Sequence, residues 1–192
     1  MNLPNKLTMA RIAMIPLLIA VYIIWGERGV PAYLAMGVLY LVASFTDYLD
    51  GAIARKRGIV TTFGKFMDPL ADKLLVMTAL MILADVDAKD ILPNLWMPFW
   101  APIVVLAREL IVTSIRLVAV GEGTIIAASK LGKAKTAATM AATAYYFLVL
   151  PWELAPALDA VGIVLMAIAL LLTLYSGADY FWKNRKSIFA SV

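Results

Sequence analysis

Apolar residues are gathered into six long stretches, separated by short segments rich in glycine, proline and charged residues. The stretches are centred near Leu18, Leu41, Met77, Val105, Ala144 and Leu170. Each has or approaches the roughly 20 mostly apolar residues that an α-helix needs to cross a bilayer. Turn-forming residues concentrate in the breaks, which fall at residues 26–31, 55–64, 85–93, 121–130 and 151–156. We therefore predict an all-α integral membrane protein of six transmembrane helices, forming a single domain over residues 1–192.

Positive charge lies at the ends of these stretches rather than in one solvated stripe. If the N-terminus is cytoplasmic, all but two of the 17 Lys and Arg residues fall on the cytoplasmic side, the exceptions being Arg28 and Lys89. Cytoplasmic loops and helix ends of membrane proteins carry this excess. We therefore expect cytoplasmic N- and C-termini in a multi-pass protein of the cell's inner membrane. The net charge of +4 then indicates membrane lipids, and no nucleic acid, as partners.

The chain contains neither histidine nor cysteine. Their absence excludes disulfides, thiolate nucleophiles and metal sites built on imidazole or cysteine. Any metal must be held by carboxylates, carbonyls and water, which favours hard cations such as Mg²⁺, Mn²⁺ or Ca²⁺ over zinc. A general base in this protein would be a carboxylate for the same reason.

Four aspartates interrupt the second and third apolar stretches. Asp47 and Asp50 are three residues apart, and Asp68 and Asp72 are four apart, so each pair lies on one face of its helix. An ionised side chain deep in a bilayer costs at least about 2.5–3.5 kcal/mol. Four carboxylates facing one another would repel unless cations neutralised them, and two divalent ions would balance the charge. The alternative, that each aspartate caps a helix or pairs with a basic neighbour, explains one aspartate better than two facing pairs.

The residues around these aspartates form an extended motif. It reads Asp47-x-x-Asp50-Gly51-x-x-Ala54-Arg55, then eight residues, then Gly64-x-x-x-Asp68-x-x-x-Asp72. This pattern resembles the signature of the CDP-alcohol phosphotransferase family, and every fixed position and both internal spacings match. The resemblance implies a six-helix membrane fold, usually a homodimer. It also implies a polar active-site cavity open to the cytoplasmic side, with two divalent ions, Mg²⁺ or Mn²⁺, under the CDP diphosphate.

The same resemblance implies roles for individual residues. The metal-ligand positions are those of Asp47, Asp50, Asp68 and Asp72. Asp72 is also the implied catalytic base that deprotonates the acceptor hydroxyl. The positions expected to contact the CDP-lipid are Asn5, Thr8, Gly51, Arg55 and Thr61. Two of these have ordinary explanations as well, since Thr8 would suit a helix cap and Gly51 would suit close helix packing.

Basic residues gather again in the second half of the chain. Arg108 and Arg116 are eight residues apart, near one face of the fourth predicted helix, and Lys133 and Lys135 open the fifth. Together they predict a pocket for the phosphate of an acceptor, although positive-inside anchoring is the alternative explanation. The Arg-Glu pair with its downstream Arg, and the Gly-Lys-x-Lys-Thr stretch, are similar to the branch of the family that uses sn-glycerol 3-phosphate.

The expected reaction is transfer of a phosphatidyl group from CDP-diacylglycerol to sn-glycerol 3-phosphate, giving phosphatidylglycerophosphate and CMP in anionic phospholipid biosynthesis. Inositol phosphate, serine or phosphatidylglycerol are the alternative acceptors within the family. A divalent-cation transporter is the alternative from another class, because membrane carboxylates also mark ion pathways. The position of the aspartates near cytoplasmic helix ends, with no comparable set in the other four stretches, favours the enzyme.

Overall fold

All regular secondary structure is helical in the part of the chain that the computed structural model of this protein describes. That part comprises residues 2–26, 29–57, 61–92, 94–121 and 129–188, without the side chains of residues 3, 4, 48–57, 65 and 186–188. The α-helices are α1 (Leu3–Trp25), α2 (Val30–Arg57), α3 (Thr62–Ala88), α4 (Trp100–Gly121), α5 (Lys130–Leu148) and α6 (Pro156–Ile188). A short 3₁₀ helix, Leu150–Trp152, connects α5 to α6. Each predicted centre lies inside one helix, so the all-α prediction is confirmed.

Several helices begin where the sequence supplies a partner for their free backbone N–H groups. Thr61 has an extended backbone, and its hydroxyl accepts a hydrogen bond from the Gly64 N–H at 3.0 Å. Ser129 does the same for the Gly132 N–H at the start of α5, also at 3.0 Å. Helix α6 begins at Pro156, whose missing N–H needs no partner in a first turn.

Three helices are long and apolar enough to cross a membrane, within the residues that the structure describes. They are Asn5–Trp25, Val30–Asp47 and Pro156–Arg185. Large apolar side chains such as Ile23, Phe99 and Leu117 are exposed on the outside of the bundle. This surface suits lipid, and it supports the prediction of a membrane protein. That all six helices cross the membrane stays a prediction.

The interior is built by two groups of helices that share one core. Helix α1 packs on α2 and α3, while α4 and α5 both pack on α6. Tyr40 of α2 and Phe147 of α5 join the groups, with ring centres 6.3 Å apart and planes tilted by 55°. Tyr146 is fully buried, and its hydroxyl donates to the Trp96 carbonyl at 3.0 Å. The hydrogen bond holds the Tyr146 ring in one place between α5 and α6.

Helix α6 approaches that ring closely at Gly162. A Cβ atom at Gly162 would lie only 2.6 Å from Cε1 of Tyr146. Since the ring is buried and hydrogen-bonded, it cannot move aside cheaply. The missing side chain of Gly162 is therefore what permits α5 and α6 to pack at this distance.

We predict that Gly162→Ala destabilises the protein by about 1–3 kcal/mol, the usual cost of overpacking. The midpoint of thermal unfolding in detergent would fall by several degrees. The matched control is Gly121→Ala, since a Cβ at Gly121 meets no atom of the described residues within 4 Å. Equal midpoints for the two variants would contradict the packing described here.

Candidate active site

Residues of the first helix meet the aspartate motif at one end of the bundle. The Thr8 hydroxyl donates to Asp68 Oδ1 at 2.5 Å, across 60 residues of sequence. The Thr61 hydroxyl donates to Asn5 Oδ1 at 2.8 Å. Thr8 is buried, whereas Asn5, Thr61 and Asp68 are partly exposed. The structure thus brings together four of the residues that the sequence singled out, from α1 and the start of α3.

Gly64 lies at the centre of this group of polar atoms. A Cβ at Gly64 would lie 3.2 Å from Thr61 Oγ1, 3.4 Å from Asp68 Oδ2 and 3.5 Å from Asn5 Oδ1. Three oxygen atoms from separate side chains therefore surround the place that a larger residue would fill. The glycine keeps this oxygen-lined space open beside Asp68.

Arg11 fixes the position of a second aspartate, Asp47. Its side chain is fully buried; Nη1 lies 3.0 Å from Asp47 Oδ1, and Nε donates to the Ala43 carbonyl at 3.2 Å. The Asp47 side chain is 42% exposed, so one partner of the pair faces the interior and the other reaches the surface. The pair holds α1 against α2 one helical turn beyond Thr8.

A third aspartate, Asp72, lies beside a small cavity of about 30 Å³ between α3, α4 and α5. Lys73, Glu109 and Lys135 share the lining of this cavity. The buried Lys135 ammonium lies 2.8 Å from Glu109 Oε1, and Arg108 Nη1 lies 2.8 Å from the same oxygen. Glu109 therefore pairs with two cations through one carboxylate oxygen, which leaves one positive charge in excess, and it connects α4 to α5.

A larger cavity of about 600 Å³ opens next to the small one. Its lining includes four cationic side chains, which are Lys73, Arg108, Arg116 and Lys133. Glu109 is the one carboxylate among the described residues that line it. Ser129 and Gly132 add the N-terminal turn of α5, where the helix dipole favours anions. The cavity, hereafter the basic cavity, carries a clear excess of positive charge.

The predicted acceptor residues divide between the two cavities. Arg108, Arg116 and Lys133 line the basic cavity, whereas Lys135 lines the small one and pairs with Glu109. Lys73 lines both cavities and was not expected there; its ammonium donates to Thr113 Oγ1 at 2.5 Å. The sequence did offer one indication, since Lys73 directly follows Asp72 and both residues line the small cavity.

The remaining predicted site residues lie in the second half of α2. The side chains of Asp50 and Arg55, and the surroundings of Gly51, lie outside the described residues. Within the described part, no group of three or more acidic side chains is close enough to hold a metal ion. The donors that are described nevertheless suit a hard divalent cation, since Asp47, Asp68 and Asp72 offer only oxygen and Gly64 leaves oxygen-lined space.

Comparison with known proteins connects these features to a family. The family model for CDP-alcohol phosphatidyltransferase matches residues 1–175. A CDP-diacylglycerol–glycerol-3-phosphate 3-phosphatidyltransferase of Bacillus subtilis is 43% identical over 199 residues, covering 97% of each chain. The protein of the same name from Rickettsia bellii is 38% identical, covering 96% of each chain. A probable phosphatidylglycerophosphate synthase of Mycobacterium tuberculosis is also 38% identical, over 97% of this chain and 83% of its own.

These matches confirm the resemblance carried by the aspartate motif, and they extend it over nearly the whole chain. The aspartate motif and the relatives indicate the same family. The contacts between α1 and α3 include Asp68 of that motif. The chain belongs to the CDP-alcohol phosphatidyltransferase family.

Proposed function

We propose that this protein transfers the phosphatidyl group of CDP-diacylglycerol to sn-glycerol 3-phosphate. The products are phosphatidylglycerophosphate and CMP, and the reaction belongs to anionic phospholipid biosynthesis. The donor and acceptor are those named in the relatives from Bacillus subtilis and Rickettsia bellii. The choice of acceptor rests on the basic cavity, which is lined by four cationic side chains and one carboxylate. This cavity adjoins the small cavity at Asp72.

A phosphorylated acceptor explains the charge of this cavity. A phosphomonoester carries close to two negative charges at neutral pH and binds arginine through paired N–H groups. Arg108, Arg116 and Lys133 supply such cations, and the N-terminal turn of α5 adds favourable backbone N–H groups. A volume of about 600 Å³ also lies in the range of small-molecule sites. Serine, which has no phosphate, would leave this positive charge unused.

The route from acceptor to donor runs through residues that the two cavities share. Lys73, Glu109 and Thr136 line both the basic cavity and the small cavity at Asp72. An acceptor whose phosphate lies among the arginines would therefore direct its far hydroxyl towards Asp72. This arrangement supports Asp72 as the base.

In the proposed reaction, an Asp72 carboxylate oxygen takes the proton of the acceptor hydroxyl. The hydroxyl oxygen forms a bond to the phosphorus that bears diacylglycerol, and the bond from that phosphorus to CMP breaks, with CMP keeping the electron pair. Asp47, Asp50, Asp68 and Asp72 would hold two divalent ions, Mg²⁺ or Mn²⁺. When bound, such ions neutralise the diphosphate and the charge that develops on the phosphoryl oxygens.

The nucleotide end of the donor is assigned to the cluster at α1 and α3. Asn5, Thr8 and Thr61 belong to this cluster, and Gly51 and Arg55 complete the proposed CDP-lipid contacts. The hydrogen bonds from Thr8 to Asp68 and from Thr61 to Asn5 support this assignment, because they join the proposed nucleotide contacts to a proposed metal ligand.

The proposed arrangement is a homodimer of single-domain chains, each spanning residues 1–192 and crossing the inner membrane six times. Both termini and the active site would face the cytoplasm. The distribution of Lys and Arg supports this orientation. The three long apolar helices support the membrane location.

The test is release of CMP by the purified protein in detergent with CDP-diacylglycerol and Mg²⁺. We expect release to depend on sn-glycerol 3-phosphate and to stop when EDTA removes the metal. Inositol phosphate, serine and no acceptor are the comparison arms. Release with another acceptor alone would overturn the proposed acceptor. Absence of release with every acceptor, together with metal uptake into proteoliposomes, would indicate a cation transporter instead.

Arg116→Ala is predicted to weaken binding of the acceptor. Loss of a charge-assisted contact of about 1.5–3 kcal/mol corresponds to a roughly 10- to 150-fold rise in KM for glycerol 3-phosphate. The KM for CDP-diacylglycerol should change little. The matched control is Lys130→Ala, since Lys130 is exposed and does not line the basic cavity. An equal rise in both KM values would remove Arg116 from the acceptor site.

Asp72→Asn is predicted to lower kcat by about 10²–10⁴-fold, the usual contribution of a general base. Because the amide has nearly the shape of the carboxyl group, the midpoint of thermal unfolding should hardly change. Asp90→Asn serves as control: Asp90 lies near the other end of α3 with a φ of 53°, which asparagine tolerates. Appreciable turnover by Asp72→Asn would show that another group takes the proton.

A further inference from the structure

One face of α6 contacts both arginines of the basic cavity. Arg108 Nη2 donates to the Ser176 hydroxyl at 3.1 Å. Arg116 Nε donates to the Tyr180 hydroxyl at 3.0 Å, and the guanidinium carbon lies 5.4 Å from the centre of the tyrosine ring. Ser176 and Tyr180 are four residues apart and therefore lie on the same side of the helix. A helix that does not line the basic cavity thus holds two of its cations.

The hydroxyl of Ser176 is itself oriented. Ser176 is fully buried, and its hydroxyl donates to the Thr173 carbonyl at 3.2 Å. Because a hydroxyl has one proton, its lone pairs remain to accept from Arg108. Tyr180 is only 3% exposed, so its side chain also belongs to the interior rather than to the lipid-facing surface.

Gly177 lets the stem of Arg108 pass across α6. A Cβ at Gly177 would lie 2.9 Å from Cγ of Arg108. Both residues border an apolar groove of about 380 Å³ between α4 and α6, which Leu174 and Phe181 also line. The aliphatic part of Arg108 therefore lies in apolar surroundings while its guanidinium reaches the basic cavity.

These contacts leave the phosphate-binding edge of Arg116 available. Tyr180 takes the Nε–H, and no described residue pairs with the two Nη nitrogens. Two parallel N–H groups on one guanidinium edge are the usual bidentate partner of a phosphate. Arg108 is held more fully, through Glu109 at Nη1 and Ser176 at Nη2. An arginine fixed in advance loses less conformational freedom when its ligand binds.

We infer that Ser176, Gly177 and Tyr180 are positioning residues that set the affinity for the acceptor phosphate through Arg108 and Arg116. The inference rests on the proposed function in taking the basic cavity as the acceptor site. It gives the C-terminal half of α6 a role beyond anchoring the chain in the membrane. None of the three residues lines the basic cavity, so none contacts the acceptor itself.

The test is Tyr180→Phe, which removes the hydroxyl that accepts from Arg116 and keeps the ring beneath the guanidinium. We expect a roughly 3- to 10-fold rise in KM for glycerol 3-phosphate, as for loss of one hydrogen bond. The KM for CDP-diacylglycerol and kcat should stay within twofold. Tyr175→Phe is the matched control, since Tyr175 lies on the same helix with its side chain 63% exposed.

A double variant separates positioning from general destabilisation. In an Arg116→Ala background, Tyr180→Phe should cause no further rise in KM, because its effect passes through Arg116. Ser176→Ala should give the same selective rise through Arg108, and it serves if Tyr180→Phe does not fold. Unchanged KM values, an equal rise for both substrates, or full additivity with Arg116→Ala would overturn the inference.

The wild-type protein distinguishes failure of this inference from failure of the proposed function. If its CMP release depends on glycerol 3-phosphate but the α6 variants behave like Tyr175→Phe, the positioning role is wrong and the proposed reaction stands. If wild-type release does not respond to glycerol 3-phosphate, the acceptor assignment fails, and the inference fails with it.

Discussion

A guanidinium that is buried among apolar helices has to be neutralised from within the protein, and much of this fold follows from how Arg11 meets that requirement. Arg11 is fully buried, and Asp47 is the carboxylate beside it. The Asp47 side chain is 42% exposed, so water screens the pair in part, but without Asp47 the buried guanidinium would lose a compensating charge. The pair therefore fixes α1 on α2. With α1 held there, Thr8 lies one turn away at Asp68, and the ends of three helices converge.

Glu109 compensates buried cations in the same way in the other half of the molecule, but there positive charge remains in excess. It shares one oxygen between Arg108 and Lys135, and so joins α4 to α5. The described side chains of the aspartate motif include three carboxylates, those of Asp47, Asp68 and Asp72, and Asp47 pairs with Arg11. In the basic cavity, cations outnumber carboxylates. Two adjacent regions of opposite surplus charge suit a reaction that brings a metal-bound diphosphate to a phosphorylated alcohol.

The sequence predicted those features that depend on the residue pattern within a single helix. The apolar stretches predicted all six helices, and the spacings of the aspartates and of Arg108 and Arg116 predicted shared faces. Periodicity does not tell which faces of different helices meet, whether the contact spans 26 residues, as from Glu109 to Lys135, or 64, as from Arg116 to Tyr180. The pairing of Lys135 with Glu109, the entry of Lys73 into the basic cavity and the contact of Tyr180 with Arg116 depend on those meetings. For that reason the residues of the cluster at α1 and α3 were predicted. The contacts of α6 with Arg108 and Arg116 were not.

Arg108 has its stem in the apolar groove and its guanidinium in the basic cavity, so a single side chain joins an apolar space to a charged one. A solute that reaches the cavity from water responds to its bulk concentration. A molecule that reaches the groove from the bilayer responds to its mole fraction among the surrounding lipids. Diluting the lipid with detergent therefore changes occupancy on one side of Arg108 and leaves the other unaffected.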